Sequence, residues 1–335
     1  MTPVLAGLLL GVVFGAAARA GRFCLLRGMK GLLSGGDLSP LRAFALALAV
    51  AIIGAQGLQM AGLTDLAESL PMRPRFSWVA MLAGGAIFGV GMVLANACGA
   101  RSVVLAAGGN LRSVVVLACL GLTAQASLTG VLAPLRLWMQ SWGVAQPQAL
   151  SLAQVIPAPL AIGGPVLALL ALAWPLIRRT HLPQAAAAVI VGATVAAGWW
   201  ITAATADPFD PPILTSVSFV GPVGDGLLWL MLSTGRALVF GVAVVGGTFL
   251  GAFGMTVLMR DLRIESFTTP RQTVKAIAGG VLMGFGGVLA LGCSIGQGLS
   301  GVSTLSLASL VAFAGILAGI AVALIATRHT RNTGI

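Results

Sequence analysis

The chain has 335 residues, 58% of them hydrophobic and 8% charged, with a mean hydropathy of +1.02. So little charge excludes a soluble domain of this size, and the formal net charge of +11 belongs to no soluble nucleic-acid-binding module. Apolar runs of about 20 residues, enough to cross a hydrocarbon core about 30 Å thick, recur along the chain and define one integral membrane domain.

The first run, Met1 to Arg22, has no basic leader and carries its arginines after the apolar stretch, so it reads as a span and not a signal peptide. Nine spans are expected, over 4–20, 41–61, 77–96, 111–133, 155–177, 184–204, 236–259, 273–292 and 307–327. Four Gly-rich pieces lie between them, over 24–34, 98–108, 222–233 and 293–304. They are too short to cross and fit re-entrant half-helices, which persist where protein or a watery cavity covers the freed backbone. The 46 glycines suit both demands, and spacings such as Gly85-Gly89 and Gly280-Gly284 predict close helix packing.

Charge sets an expected orientation. With the N-terminus outside and the C-terminus in the cytoplasm, the outer segments keep only Arg73, Arg75, Arg136 and Arg236 among the 19 basic residues. The acidic Asp65, Glu68, Asp207, Asp210 and Asp225 fall on that same outer side. The basic excess is then a topology signal, with anionic lipid as its partner, and the expected location is a bacterial inner membrane.

One stretch occurs twice. Gly84 to Cys98 reads GGAIFGVGMVLANAC and Gly279 to Cys293 reads GGVLMGFGGVLALGC, without a gap and with eight of fifteen positions identical. The expected organisation is a first repeat over 1–135 (four spans, two short helices), a linker with one span over 136–183, and a second repeat over 184–335 of the same make-up. Four spans plus one is odd, so the second repeat is inverted relative to the first. The fold class is an all-α polytopic membrane protein, hourglass-like, with broken helices meeting near the midplane, where a transporter places its site.

The breaks carry the chemistry. Cys24 in GRFCLLRG, Cys98 in ANACGARS and Cys293 in LGCSIGQGLSG stand at the mouths of short pieces, whereas Cys119, mid-span in VVVLACLGL, reads as packing. Gly99, Ala100 and Arg101, and Ser294, Ile295 and Gly296, are expected to present free N–H groups at helix starts, a natural anion site. Arg22, Arg27 and Arg101 add positive potential, and Asn96, Ser294 and Gln297 are polar neighbours that either meet a ligand or bind the freed backbone. A neutral S–H donates a weak hydrogen bond; a thiolate would repel an anion and is the reactive form. Transport calls for the thiol, covalent chemistry for the thiolate. The segment LTSVSFVGPVGDGLLWL, from Leu214, is the counterpart of the Cys24 piece and offers Thr215, Ser216, Ser218 and Asp225 in place of a thiol.

The four cysteines lie at no zinc-like spacing, and His181 and His329 fall in a loop and a tail, so no metal site is expected. There is no P-loop, no dinucleotide-binding turn and no acidic residue within a span, so no cofactor, no ATP hydrolysis and no proton relay are read.

GRFCLLRG, GVGMVLANACGARS and GGVLALGCSIGQGLSG resemble the YeeE/YedE family of sulfur-transport-domain membrane proteins, over essentially the whole chain. The resemblance implies nine spans with short re-entrant helices, and thiosulfate passing Cys24, Cys98 and Cys293 by S–H hydrogen bonds without a rocking motion. It also implies a small cytoplasmic sulfur-carrier protein as partner; some members are tied to other sulfur or selenium species. The expectation is an importer of a small sulfur-containing anion, not an enzyme, with Cys293 met first and Cys98 and Cys24 after it. Two other classes stay in view. One is a membrane-embedded sulfurtransferase or thiol oxidoreductase, which needs a thiolate and a cycling cysteine pair. The other is a scaffold subunit whose thiols are incidental.

Overall fold

In hydrocarbon every backbone polar group must find its partner inside the protein, so an apolar chain of this kind resolves into helices. The computed structural model describes residues 2–147, 149–178, 182–205 and 213–332. His181, Asp207 and Asp210 lie outside the described residues, as does the side chain of His329.

Thr2 caps α1 (Pro3–Ala20), which is followed by the short α2 (Leu25–Ser34) and by α3 (Ser39–Met60). Next come α4 (Trp78–Ala95), the short α5 (Gly99–Ala107) and α6 (Leu111–Leu128), capped by Asn110. The connecting region holds α7 (Ala133–Gln140), the single turn α8 (Leu152–Val155) and α9 (Ala158–Arg178). The second half comprises α10 (Leu182–Ala204), the short α11 (Val220–Leu232), α12 (Phe240–Leu258), α13 (Pro270–Leu289) and α14 (Leu307–Asn332). Nine of the described helical stretches are long and apolar enough to cross a membrane, as the hydropathy pattern predicts. The one sheet among the described residues is a two-residue ladder, Phe76–Ser77 against Val144–Ala145.

Two elements differ from expectation. The fourth span stops at Leu128 instead of 133, and α7 follows it; Thr129 and Gly130 close α6. The piece over 293–304 contains a π-helical turn, Gly296–Gly301, in place of a regular half-helix. Crowding explains this. A Cβ at Gly298 would stand 2.6 Å from the Phe313 ring, and one at Gly301 2.3 Å from Ser309 Oγ, so glycine lets this wide turn press against α14.

Helix pairing repeats when the halves are exchanged. α1 packs on α12 as α10 packs on α3; α4 packs on α14 as α13 packs on α6; α2 meets α3 as α11 meets α12. Short helix α5 touches α6 and α12, and the π turn touches α14 and α3 in the corresponding way. The α4–α13 crossing maps onto itself. A Cβ at Gly91 would lie 2.8 Å from the Gly279 carbonyl, and one at Gly286 2.7 Å from the Gly84 carbonyl. This is close packing through small residues, the force that joins helices where lipid is as apolar as the side chains.

Buried polar contacts pin the broken segment of the second half. The Trp199 indole donates to Ser303 Oγ (3.1 Å), Gln56 Nε2 donates to the Ser303 carbonyl (2.9 Å), and Ser300 Oγ donates to the Val217 carbonyl (2.7 Å).

Candidate functional site: buried thiols beside two cavities

Each of the three cysteines follows a left-handed residue by two positions: Arg22 (φ 48°) before Cys24, Asn96 (φ 57°) before Cys98 and Leu291 (φ 58°) before Cys293. For a non-glycine residue this conformation costs about 1–2 kcal/mol, and surrounding packing must hold it. The turn stops the preceding helix and sets the thiol at the start of the next short element. Arg101 N–H donates to Cys98 Sγ at 3.4 Å, and Gly296 N–H donates to Cys293 Sγ at 3.3 Å. The duplication thus reproduces one device: sulfur accepts a backbone N–H three residues on, which leaves the S–H as the group free to donate. Cys24 caps α2 without a side-chain bond. All three side chains are buried, and Cys98 is within electrostatic range of both other thiols.

Two cavities flank them. The first, about 220 Å³, is lined by Phe14, Arg22, Cys24, Arg27, Cys98 and Arg101, and also by Ser294 and Ile295. Arg19 and Asp261 complete its wall as an ion pair at 3.0 Å. Arg22, Arg27 and Arg101 have no acidic partner among the described residues, so the cavity keeps a positive potential. The second, about 530 Å³, lies at the opposite end of the α1–α12 pair and is lined by Arg73, Arg136, Thr215, Ser216, Ser218, Asp225, Leu291 and Gly292. Asp225 accepts a hydrogen bond there from Gln125 Nε2 at 2.9 Å. Cys293 is completely buried and lines neither space, but the residues before it face the second cavity and those after it face the first.

The remaining expected site residues divide. Ala100, Arg101, Ser294, Ile295 and Arg22 reach the first cavity. The first-turn N–H groups of Gly99, Ala100, Ser294 and Ile295 have no acceptor among the described residues. The Ser294 hydroxyl is buried, makes no well-formed hydrogen bond there, and lies beside the Cys98 thiol. Gly99 is buried and faces Leu120 and Phe219, and Gly296 is pressed against Ser218 and Cys293. Gln297 serves the backbone: its Nε2 donates to the carbonyls of Ala290 and Leu291, both at 3.0 Å. Asn96 is exposed, closes α4, accepts from Lys30 Nζ at 2.5 Å and lines neither cavity. Its left-handed backbone matters to the site; its amide does not reach it.

Residues that motif reading missed are Phe14, the Arg19–Asp261 pair and Phe219. The first three carry no local signal, because helices distant in sequence bring them together. Phe219 did carry one: the 195-residue offset that maps Cys98 onto Cys293 maps Cys24 onto Phe219. No group of three or more His, Cys, Asp or Glu side chains able to hold a metal occurs among the described residues.

Nine apolar helices among the described residues, short elements that start at buried thiols, and an arginine-edged cavity around two of those thiols make this a multi-pass membrane protein with a thiol-bearing, positively charged interior cavity. The chain belongs to the sulphur transport family, whose model matches residues 20–322. It is similar to the thiosulfate transporter TsuA of Escherichia coli, 26% identical over 317 residues that cover 88% of this chain and 86% of that protein. It is also similar to the thiosulfate transporter TsuA of Spirochaeta thermophila, 27% identical over 341 residues covering 91% and 93%.

Proposed function

We propose that this protein imports thiosulfate across a bacterial inner membrane, along a path that runs from the second cavity past Cys293 and then past Cys98 and Cys24. The carrying observation is the position of Cys293: chain continuous with it faces one cavity on one side and the other cavity on the other. The relatives named thiosulfate transporters support the choice of substrate.

Thiosulfate has a soft terminal sulfur and a hard sulfonate end. An S–H whose sulfur already accepts a backbone N–H offers its proton to the terminal sulfur. The free N–H groups of Ala100, Ser294 and Ile295 and the Ser294 hydroxyl suit the oxygens. The thiols act as binding groups and not as nucleophiles, so the protein is a carrier and not an enzyme. Successive weak donors allow release, because each site holds the ion loosely enough to pass it on.

The second half is inverted relative to the first, and the N-terminus lies outside with the C-terminus in the cytoplasm. The charges favour this direction. Under exchange of the halves Arg22, Arg27 and Arg101 correspond to Val217, Pro222 and Gly296. The first cavity is lined by Arg19, Arg22, Arg27 and Arg101 against Asp261, the second by Arg73 and Arg136 against Asp225, so the attraction for an anion is stronger at the first cavity and draws it there. That cavity then opens to the cytoplasm, where a small sulfur-carrier protein would accept the cargo. The test is uptake of thiosulfate labelled at its terminal sulfur, in cells lacking other thiosulfate importers. Wild type should take up label, and Cys293→Ala, inserted to the same level, should not; equal uptake by the two would end the thiol path.

A further inference from the structure

The 195-residue offset that superposes the two cysteine breaks also superposes Cys24 on Phe219. The tertiary structure agrees with this pairing. Both residues are N-caps of a short helix, α2 and α11, and neither makes a side-chain cap bond. Those helices make equivalent contacts, α2 with α3 and α14, α11 with α12 and α6. Where strict symmetry would supply a fourth thiol, the chain supplies an aromatic ring.

The ring stands in the partition. Phe219 is fully buried, while its neighbours Ser218 and Val220 line the second cavity. Its centroid lies 5.3 Å from that of Phe14, which lines the first cavity. Its Cβ is 3.6 Å from where a Cβ of Gly99, the residue after Cys98, would sit. The Phe14–Phe219 pair therefore sets two packed aromatic rings between the two cavities, beside the Cys98 break. An apolar constriction of this kind excludes water and holds back hydrated ions. Sulfate could use the same N–H donors for its oxygens but has no soft sulfur for the thiols, so it recovers less of its lost hydration than thiosulfate does.

We propose that Phe219 is the specificity-determining seal of the path, separating the two cavities and admitting only an ion that the neighbouring thiols can carry past it. This rests on the transport reading and adds to it: the thiols select for sulfur, and the ring rejects what the thiols cannot bind.

Two measurements on purified full-length protein test the seal. In proteoliposomes, Phe219→Ala should admit labelled sulfate that wild type excludes, lowering the thiosulfate-to-sulfate uptake ratio by about tenfold or more. In detergent, without any transport, a charged thiol reagent should modify Cys293 about tenfold faster in Phe219→Ala than in wild type, read by peptide mass, because reaction rate follows access. Phe219→Val is the milder truncation and should move both readouts the same way if the alanine variant does not fold. Unchanged Cys293 modification together with continued exclusion of sulfate would overturn the proposal. Wild type that takes up no thiosulfate would overturn the transport reading, and the modification rates would still decide whether the ring is a seal.

Discussion

The crossing of α4 and α13 sets the spacing of two thiols, and a single methyl group tests it. Gly279→Ala would place a Cβ 2.6 Å from the Ala95 backbone nitrogen and 2.8 Å from the Gly91 carbonyl oxygen. Ordinary contact for carbon begins near 3.5 Å, so the helices must part by roughly 0.7–0.9 Å at this point. Both obstructing atoms are backbone and cannot swing aside, which puts the overpacking cost near the upper end of about 1–3 kcal/mol. Alanine recovers about 1 kcal/mol of helix propensity over glycine. The net expected destabilisation is about 2 kcal/mol. Ala95 precedes Cys98 by three residues, so parted helices also displace that thiol, and thiosulfate uptake per inserted molecule should fall further than the folded fraction does. Gly91→Ala meets the Gly279 carbonyl at 2.8 Å across the same crossing. One separation relieves both clashes, so the double variant should be less destabilised than the sum of the singles, by about 0.5–3 kcal/mol. Thermal unfolding in detergent, with uptake measured in parallel, completes the cycle. A fully stable Gly279→Ala, or strict additivity of the pair, would refute the close approach and the geometry drawn from it.

Other outcomes follow from the same structure. Cys24→Ala, Cys98→Ala and Cys293→Ala should each lower thiosulfate uptake by about tenfold or more, since a hydrogen bond to a charged group contributes about 1.5–3 kcal/mol; Cys119→Ala, in the α6–α13 packing, should stay close to wild type in the same assay. Gln297→Leu removes both donors to the carbonyls of Ala290 and Leu291 and should cost about 1–3 kcal/mol of stability by thermal unfolding. If the variant melts like wild type, the amide is not holding the break. Neutralising Arg22 and Arg27 together (Arg22→Gln, Arg27→Gln) should weaken half-saturation by thiosulfate a few-fold at low ionic strength and less in high salt, because exposed charges are screened over about 10 Å at 0.1 M. A salt-independent loss would assign these arginines a direct contact instead.

Hydropathy was sufficient for the nine spans because the bilayer imposes length and composition on each crossing independently of its neighbours. The duplicated GGxxxGxGxVLAxxC pattern was sufficient for the equivalence of Cys98 and Cys293, since a repeated backbone device needs the same residue at the same offset. Local pattern did not reveal the shape of the last break, where a π turn depends on what Gly298 and Gly301 meet across the fold, namely Phe313 and Ser309. It also left the polar neighbours undivided. Ser294 and Asn96 read alike as short polar residues beside a thiol, yet one is buried next to Cys98 and the other is turned outward to Lys30. Cys24 joined Cys98 in one cavity, and Phe14 came to lie against Phe219, only when α1, α5, α11 and α12 were brought together. Crossing a membrane is a property of each segment's own side chains, so composition reports it directly. A passage between segments is made by what distant helices leave unfilled, and that is decided by tertiary packing.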